Sequence, residues 1–130
     1  LAAGWHPWVI ECVAGVIEEG ETPEDLAQRE AVEEAGCAVT SLVPIYTFLT
    51  SPGVSGETVT LFAGRVDTTD VGGVHGLVEE GEDIRVMVVS VDEALGLLRD
   101  GKIVNAKTII ALLWLALNYS RLKADWLAGA

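Results

Sequence analysis

The stretch from Thr22 to Gly36 spells out both ends of a helix, and it constrains this chain more than any other feature. Thr22 suits an N-cap, Pro23 the first helical position, and Asp25 closes a capping-box-like turn. Gly36 supplies a stop, so the helix is expected from Pro23 to Ala35. Within it Glu30, Glu33 and Glu34 stand at i, i+3 and i+4 and share one face. Like charges at that spacing repel by roughly 0.2–0.5 kcal/mol per pair. A solvated acidic face tolerates this and is the ordinary explanation. A face that binds a hard divalent cation requires it, because such ions take oxygen ligands. The loop from Gly15 to Glu21 precedes the helix, and its glycines let backbone groups approach a ligand closely.

The chain has 130 residues, of which 50% are apolar, enough for a single domain around one core. Its formal net charge is −12, with a pI near 4.3. Such a chain repels nucleic-acid backbones and anionic membranes, so neither is an expected partner. A phosphate-bearing ligand would need its charge offset, and a carboxylate-held divalent metal does that. Cys12 and Cys37 form no CxxC pair and read as small buried hydrophobes in a reducing compartment. No signal peptide is recognisable, and the apolar run from Thr108 to Asn118 is too short to span a bilayer. A cytoplasmic location is expected.

Along the chain, Trp8 to Ala14 reads as a buried strand. Val39–Leu49 and Glu57–Val66 read as further strands, separated by the turn-rich loop Ser51–Gly56. Asp67–Asp83 is a long, glycine-rich, acidic loop. Ile84–Val89 is the next strand, and Ser90–Glu93 opens a short helix ending near Gly101. Asn105 caps a last helix, Ala106 to about Trp126, with an apolar stripe of Ile109, Ile110, Leu113, Leu117 and Leu122. Trp114 falls inside that apolar run, which favours core packing over base stacking. His6 and His75 have no partner pattern and read as structural or solvent-facing. The elements imply a mixed α/β fold, with helices packed on a mixed sheet.

The residues from Gly15 to Cys37 fit the pattern G-x5-E-x7-R-E-U-x-E-E-x-G-U, where U is apolar. Gly15, Glu21, Arg29, Glu30, Glu33, Glu34 and Gly36 fill every fixed position, and Ala31 and Cys37 take the apolar ones. Chance agreement at these sites is on the order of one in ten million per window at ordinary residue frequencies. In this the chain resembles the Nudix hydrolases. Ser51-Pro52-Gly53, one strand after the signature, and the run from Pro7 onward resemble the ADP-ribose pyrophosphatase branch.

The resemblance implies an enzyme that uses Mg²⁺, with Mn²⁺ as the alternative, to cleave the diphosphate of ADP-ribose into AMP and ribose 5-phosphate. It implies metal ligation by Ala14 through its carbonyl, Glu30, Glu34 and Glu82, with Glu33 as a further catalytic or ligating acid. Glu80, within Glu79-Glu80-Gly81-Glu82-Asp83, is the implied base. Arg29 and Glu21 are implied to fix the loop–helix geometry. Gly15, Pro52, Gly53 and Glu57 are candidate substrate contacts. GDP-mannose and nucleoside triphosphates are alternative substrates, and a nucleotide-binding module or inactive remnant is the alternative from another class. Relatives carry N-terminal strands that this chain lacks before its first strand, so a homodimer covering the open edge is expected.

Overall fold

The computed structural model describes residues 9–69, 73–75 and 84–129. Helix α1 spans Pro23–Ala35, α2 Val91–Arg99 and α3 Ala106–Ala128. Strands β1 Ser41–Leu49, β2 Thr58–Arg65, β3 Gly73–His75 and β4 Ile84–Val86 form two antiparallel pairs, β1 with β2 and β3 with β4. The class is mixed α/β, as expected, with small sheets in which every described pairing is antiparallel. The described residues divide into two compact units, Val13–Val88 and the remainder.

The ends of α1 are those the sequence implies. The Thr22 hydroxyl accepts the Asp25 N–H at 3.1 Å, and the Asp25 carboxylate accepts the Thr22 N–H at 3.2 Å. Gly36 takes φ 65° and ψ 25°, a left-handed conformation in which a Cβ is unfavourable. Ala31, Ala35 and Cys37 are buried along with Leu61 of β2, and together they make the small core of this unit.

β1 and β2 run in register from Ser41↔Arg65 to Pro44↔Phe62, then slip before Thr47↔Thr60. Pro44 has no N–H to give the ladder, which accounts for a bulge beside it. Beyond the slip the Thr47 and Thr60 hydroxyls meet across the strands at 3.2 Å. The connecting loop closes on Ser51, whose carbonyl accepts the N–H groups of Val54 and Ser55. This is the turn the sequence announces.

Two expectations are corrected. Residues 9–14, the described part of the first expected strand, form no strand and join neither sheet among the described residues. Two of their N–H groups go to side chains: Cys12 to the Thr108 hydroxyl at 3.0 Å, Ala14 to the Glu34 carboxylate at 3.3 Å. The segment expected to be structureless, from Asp67, contains β3, whose three residues pair with β4 and lie beside α1. Three residues are too few for an alternating pattern to register.

In the second unit α2 packs on α3. Ser90 caps α2, and Asn105 caps α3 by accepting the Thr108 N–H at 3.0 Å. Thr108 is buried and donates to Asn105 while accepting from Cys12, so its hydroxyl is satisfied on both sides. Trp114, Leu122 and Ile103 form the core of this unit. The expected stripe holds only in part. Ile109 and Ile110 are half-buried and Leu122 is buried, but Leu113 and Leu117 are exposed, Leu117 at 82%. No helix among the described residues is long and apolar enough to cross a membrane.

The cap predicts a measurable cost. Thr22→Ala should destabilise the chain by about 1 kcal/mol in urea unfolding, while Thr22→Ser should be nearly neutral. Equal losses for both would show that the hydroxyl is not what holds the turn.

Candidate active site

The site is built on the loop ahead of α1 and the second half of that helix. Its centre is Arg29, whose guanidinium has five N–H donors, all of them engaged. Nε donates to Glu21 Oε2 at 2.8 Å and Nη2 to Glu21 Oε1 at 3.1 Å, a two-pronged grip on one carboxylate. Nη2 also reaches the Val16 carbonyl at 3.3 Å. Nη1 bridges two acids of the helix face, Glu30 Oε1 at 2.9 Å and Glu33 Oε2 at 3.3 Å. Glu18 stands at the rim, 3.7 Å from Nη2. The loop is therefore tied to the helix by one cation.

This arrangement shifts ionisation in both directions. The hydrogen bond from Arg29, helped by the Glu18 N–H, holds the Glu21 carboxyl below the usual glutamate range. The same bond to Glu21, with the charges of Glu18 and Glu30 adding to it, raises Arg29 further above its already high value. Arg29 is a permanent cation here.

Glu30 and Glu34 meet the loop at two adjacent residues, Ala14 and Gly15. Glu34 Oε2 accepts the Ala14 N–H at 3.3 Å. Glu30 lies against Gly15 so closely that a Cβ on that residue would overlap its Cγ, Cδ and Oε1. Gly15 is not in the left-handed region, so it is the room for Glu30, not the backbone angle, that demands glycine. Glu30 is only 8% exposed, an unusual burial for a carboxylate, and Arg29 pairs it.

The donor chemistry fits a hard divalent cation. Glu30 and Glu34 bring carboxylate oxygens to the Ala14–Gly15 backbone, and Mg²⁺ and Mn²⁺ take such oxygen ligands. Among the described residues no three acidic, histidine or cysteine side chains already form a cation cage. Glu30 and Glu33 are drawn to Arg29, and Glu34 to the Ala14 N–H.

The structure thus brings together Ala14, Gly15, Arg29, Glu30, Glu33 and Glu34. Pro52, Gly53 and Glu57 lie in the exposed loop between β1 and β2. The expected base Glu80 and ligand Glu82 lie outside the described residues. Sequence reasoning missed Glu18 and the Val16 carbonyl as partners of Arg29. Both sit in a loop without periodicity, and the only available signal was their closeness to Glu21 in sequence.

The Glu21–Arg29 pair makes stability depend on acid. A carboxyl lowered by folding stabilises the fold fully above its unfolded value, near 4.5, and the contribution fades as pH falls through the lower folded value. Glu21→Gln should therefore lower the melting temperature at neutral pH and flatten the stability profile below about pH 4.5. An acid limb as steep as that of the wild type would rule out Glu21 as a contributor.

Comparison with known proteins agrees with this geometry. The NUDIX domain family profile matches residues 2–112. The chain is 51% identical over 120 residues to the ADP-ribose pyrophosphatase of Escherichia coli K12, covering 92% of this chain and 57% of that protein. It is 47% identical over 132 residues to the ADP-ribose pyrophosphatase of Haemophilus influenzae, covering 97% of this chain and 61% of the relative. A GDP-mannose pyrophosphatase of Cronobacter sakazakii is 36% identical over 110 residues, with 85% and 56% covered. The chain spans less than two thirds of the length of each of these relatives. With the profile covering most of the chain and the signature residues gathered around one loop–helix junction, the chain belongs to the NUDIX domain family.

Proposed function

We infer that this chain is the metal-binding and hydrolytic domain of an ADP-ribose pyrophosphatase, which adds water across the diphosphate to give AMP and ribose 5-phosphate. One observation supports the reading: the carboxylates of Glu30 and Glu34 both reach the Ala14–Gly15 backbone, Glu34 by accepting the Ala14 N–H and Glu30 by lying against Gly15, which gathers oxygen donors at the loop–helix junction. The relatives' names support the substrate. The two ADP-ribose pyrophosphatases are 47% and 51% identical, against 36% for the GDP-mannose enzyme.

In this reading Glu30, Glu34, the Ala14 carbonyl and Glu82 hold Mg²⁺ or Mn²⁺. The ion, when bound, neutralises diphosphate charge and polarises the reacting P–O bond. The chain's own residues do the rest. Arg29 keeps the loop against the helix, so the carboxylates of Glu30 and Glu34 meet the Ala14–Gly15 backbone. Gly15 leaves room for the Glu30 side chain. Glu80 takes the proton from the attacking water. Pro52, Gly53 and Glu57 contact the nucleotide sugar from the exposed β1–β2 loop, and the natural partner is a small nucleotide in the cytoplasm.

The second reading is a nucleotide-binding module without turnover. Incubation with ADP-ribose and Mg²⁺, with AMP quantified chromatographically, separates the two. Turnover that disappears on chelation is expected. Binding without AMP release would favour the module, and faster release from GDP-mannose would move the substrate.

Glu34→Gln should cost several kcal/mol of transition-state stabilisation, on the order of a thousandfold in kcat/KM. A merely solvated acidic face would lose nothing, so wild-type kinetics in this variant would refute the ligand role. Glu80→Gln should lower kcat and leave metal affinity close to that of the wild type.

A further inference from the structure

The five donors of Arg29 are divided in a way that structural support alone does not require. Three of them, on Nε and Nη2, hold the loop through Glu21 and Val16. The two on Nη1 are spent on Glu30 and Glu33, acids of the metal-binding face itself. The guanidinium therefore pairs with acids of the face that the proposed function assigns to a cation. Its repulsion of a divalent ion is twice that of a monovalent one at the same distance.

We propose that Arg29 is an internal counter-ion for this face, holding Glu30 and Glu33 through Nη1 in the metal-free chain and yielding them to a divalent cation while its grip on Glu21 stays closed. The inference rests on the reading of Glu30 and Glu34 as metal ligands. Its physical basis is a competition between carboxylates for one guanidinium. Glu21 pulls it with two hydrogen bonds at 2.8 and 3.1 Å, and Glu30 and Glu33 pull from the other side at 2.9 and 3.3 Å. Without metal, the cation relieves the crowding of negative charge on a helix face that would otherwise repel itself. With metal, the divalent ion neutralises those carboxylates, and Glu21 keeps the displaced guanidinium from swinging away. Glu21 thus acts as a positioning residue that biases Arg29 off the metal site.

Opposite effects of two substitutions follow, and simple damage to the loop would not produce them. In calorimetric titration of the metal-free chain with Mn²⁺, Arg29→Met should bind roughly tenfold tighter, because the competing charge is gone. Glu21→Gln should bind several-fold more weakly, because Arg29 is left to Glu30 and Glu33. Circular dichroism and melting curves establish that each variant is folded. Damage to the loop would weaken binding in both. If Arg29→Met binds Mn²⁺ no tighter than the wild type, or Glu21→Gln no more weakly, the counter-ion role is overturned and the metal site stands. If the wild type binds no Mn²⁺, both fall.

A second measurement needs no variant. On saturation of the wild type with Mg²⁺, nuclear magnetic resonance of the Arg29 side chain should show faster water exchange at Nη1, with Nε–H still protected. Unchanged exchange at Nη1 overturns the proposal.

Discussion

One guanidinium joins the two halves of this site. Arg29 leaves α1 and ends on Glu21 and Val16 of the preceding loop, so the loop's path is set by the helix rather than by its own backbone preferences. That path then delivers Ala14 and Gly15 to the same helix face, where Glu34 and Glu30 meet them. An arginine suits this position and a lysine does not. Three donors on a flexible stem cannot grip one carboxylate with two prongs while bridging two others. The cation also makes it tolerable to keep Glu30 nearly inaccessible to water, since a buried carboxylate without a partner would be costly.

How much of this was legible in the sequence depends on how locally each feature is determined. Helix starts were legible to the residue, because an N-cap is a bond between neighbours: Thr22 with Asp25, Ser90 with Glu93, Asn105 with Thr108. Strand partners were not. Residues 9–14 have a strand's composition, yet their N–H groups at Cys12 and Ala14 are taken by Thr108 and Glu34, residues far along the chain. β3 was too short to leave a periodic trace. On α3 the apolar residues outnumber the positions the core can cover, so Leu113 and Leu117 face outward while Thr108 is buried for its hydrogen bonds.

The site shows the same division. Its residue types and spacing came from the signature, and the described members stand together as that pattern implies. What spacing could not give is who holds whom. Nothing in the order of letters says that Arg29 spends two donors on the acidic face, or that Glu34 accepts from Ala14. Those are facts of three-dimensional reach. Pro52, Gly53 and Glu57 were singled out by position after the signature alone, and they stand on an exposed loop.

The two signature glycines answer different physical demands. Gly36 is glycine because of the angle its backbone takes, and no neighbour can change that. Gly15 is glycine because the Glu30 side chain fills the space a Cβ would need. The first demand belongs to one residue, the second to a pair. In descent from a common ancestor, position 36 should therefore drift only if the helix ending is rebuilt. Position 15 is released as soon as position 30 shortens. A lineage that has abandoned the glutamate at 30 is the one in which a larger residue at 15 becomes admissible, so the two losses should be inherited together.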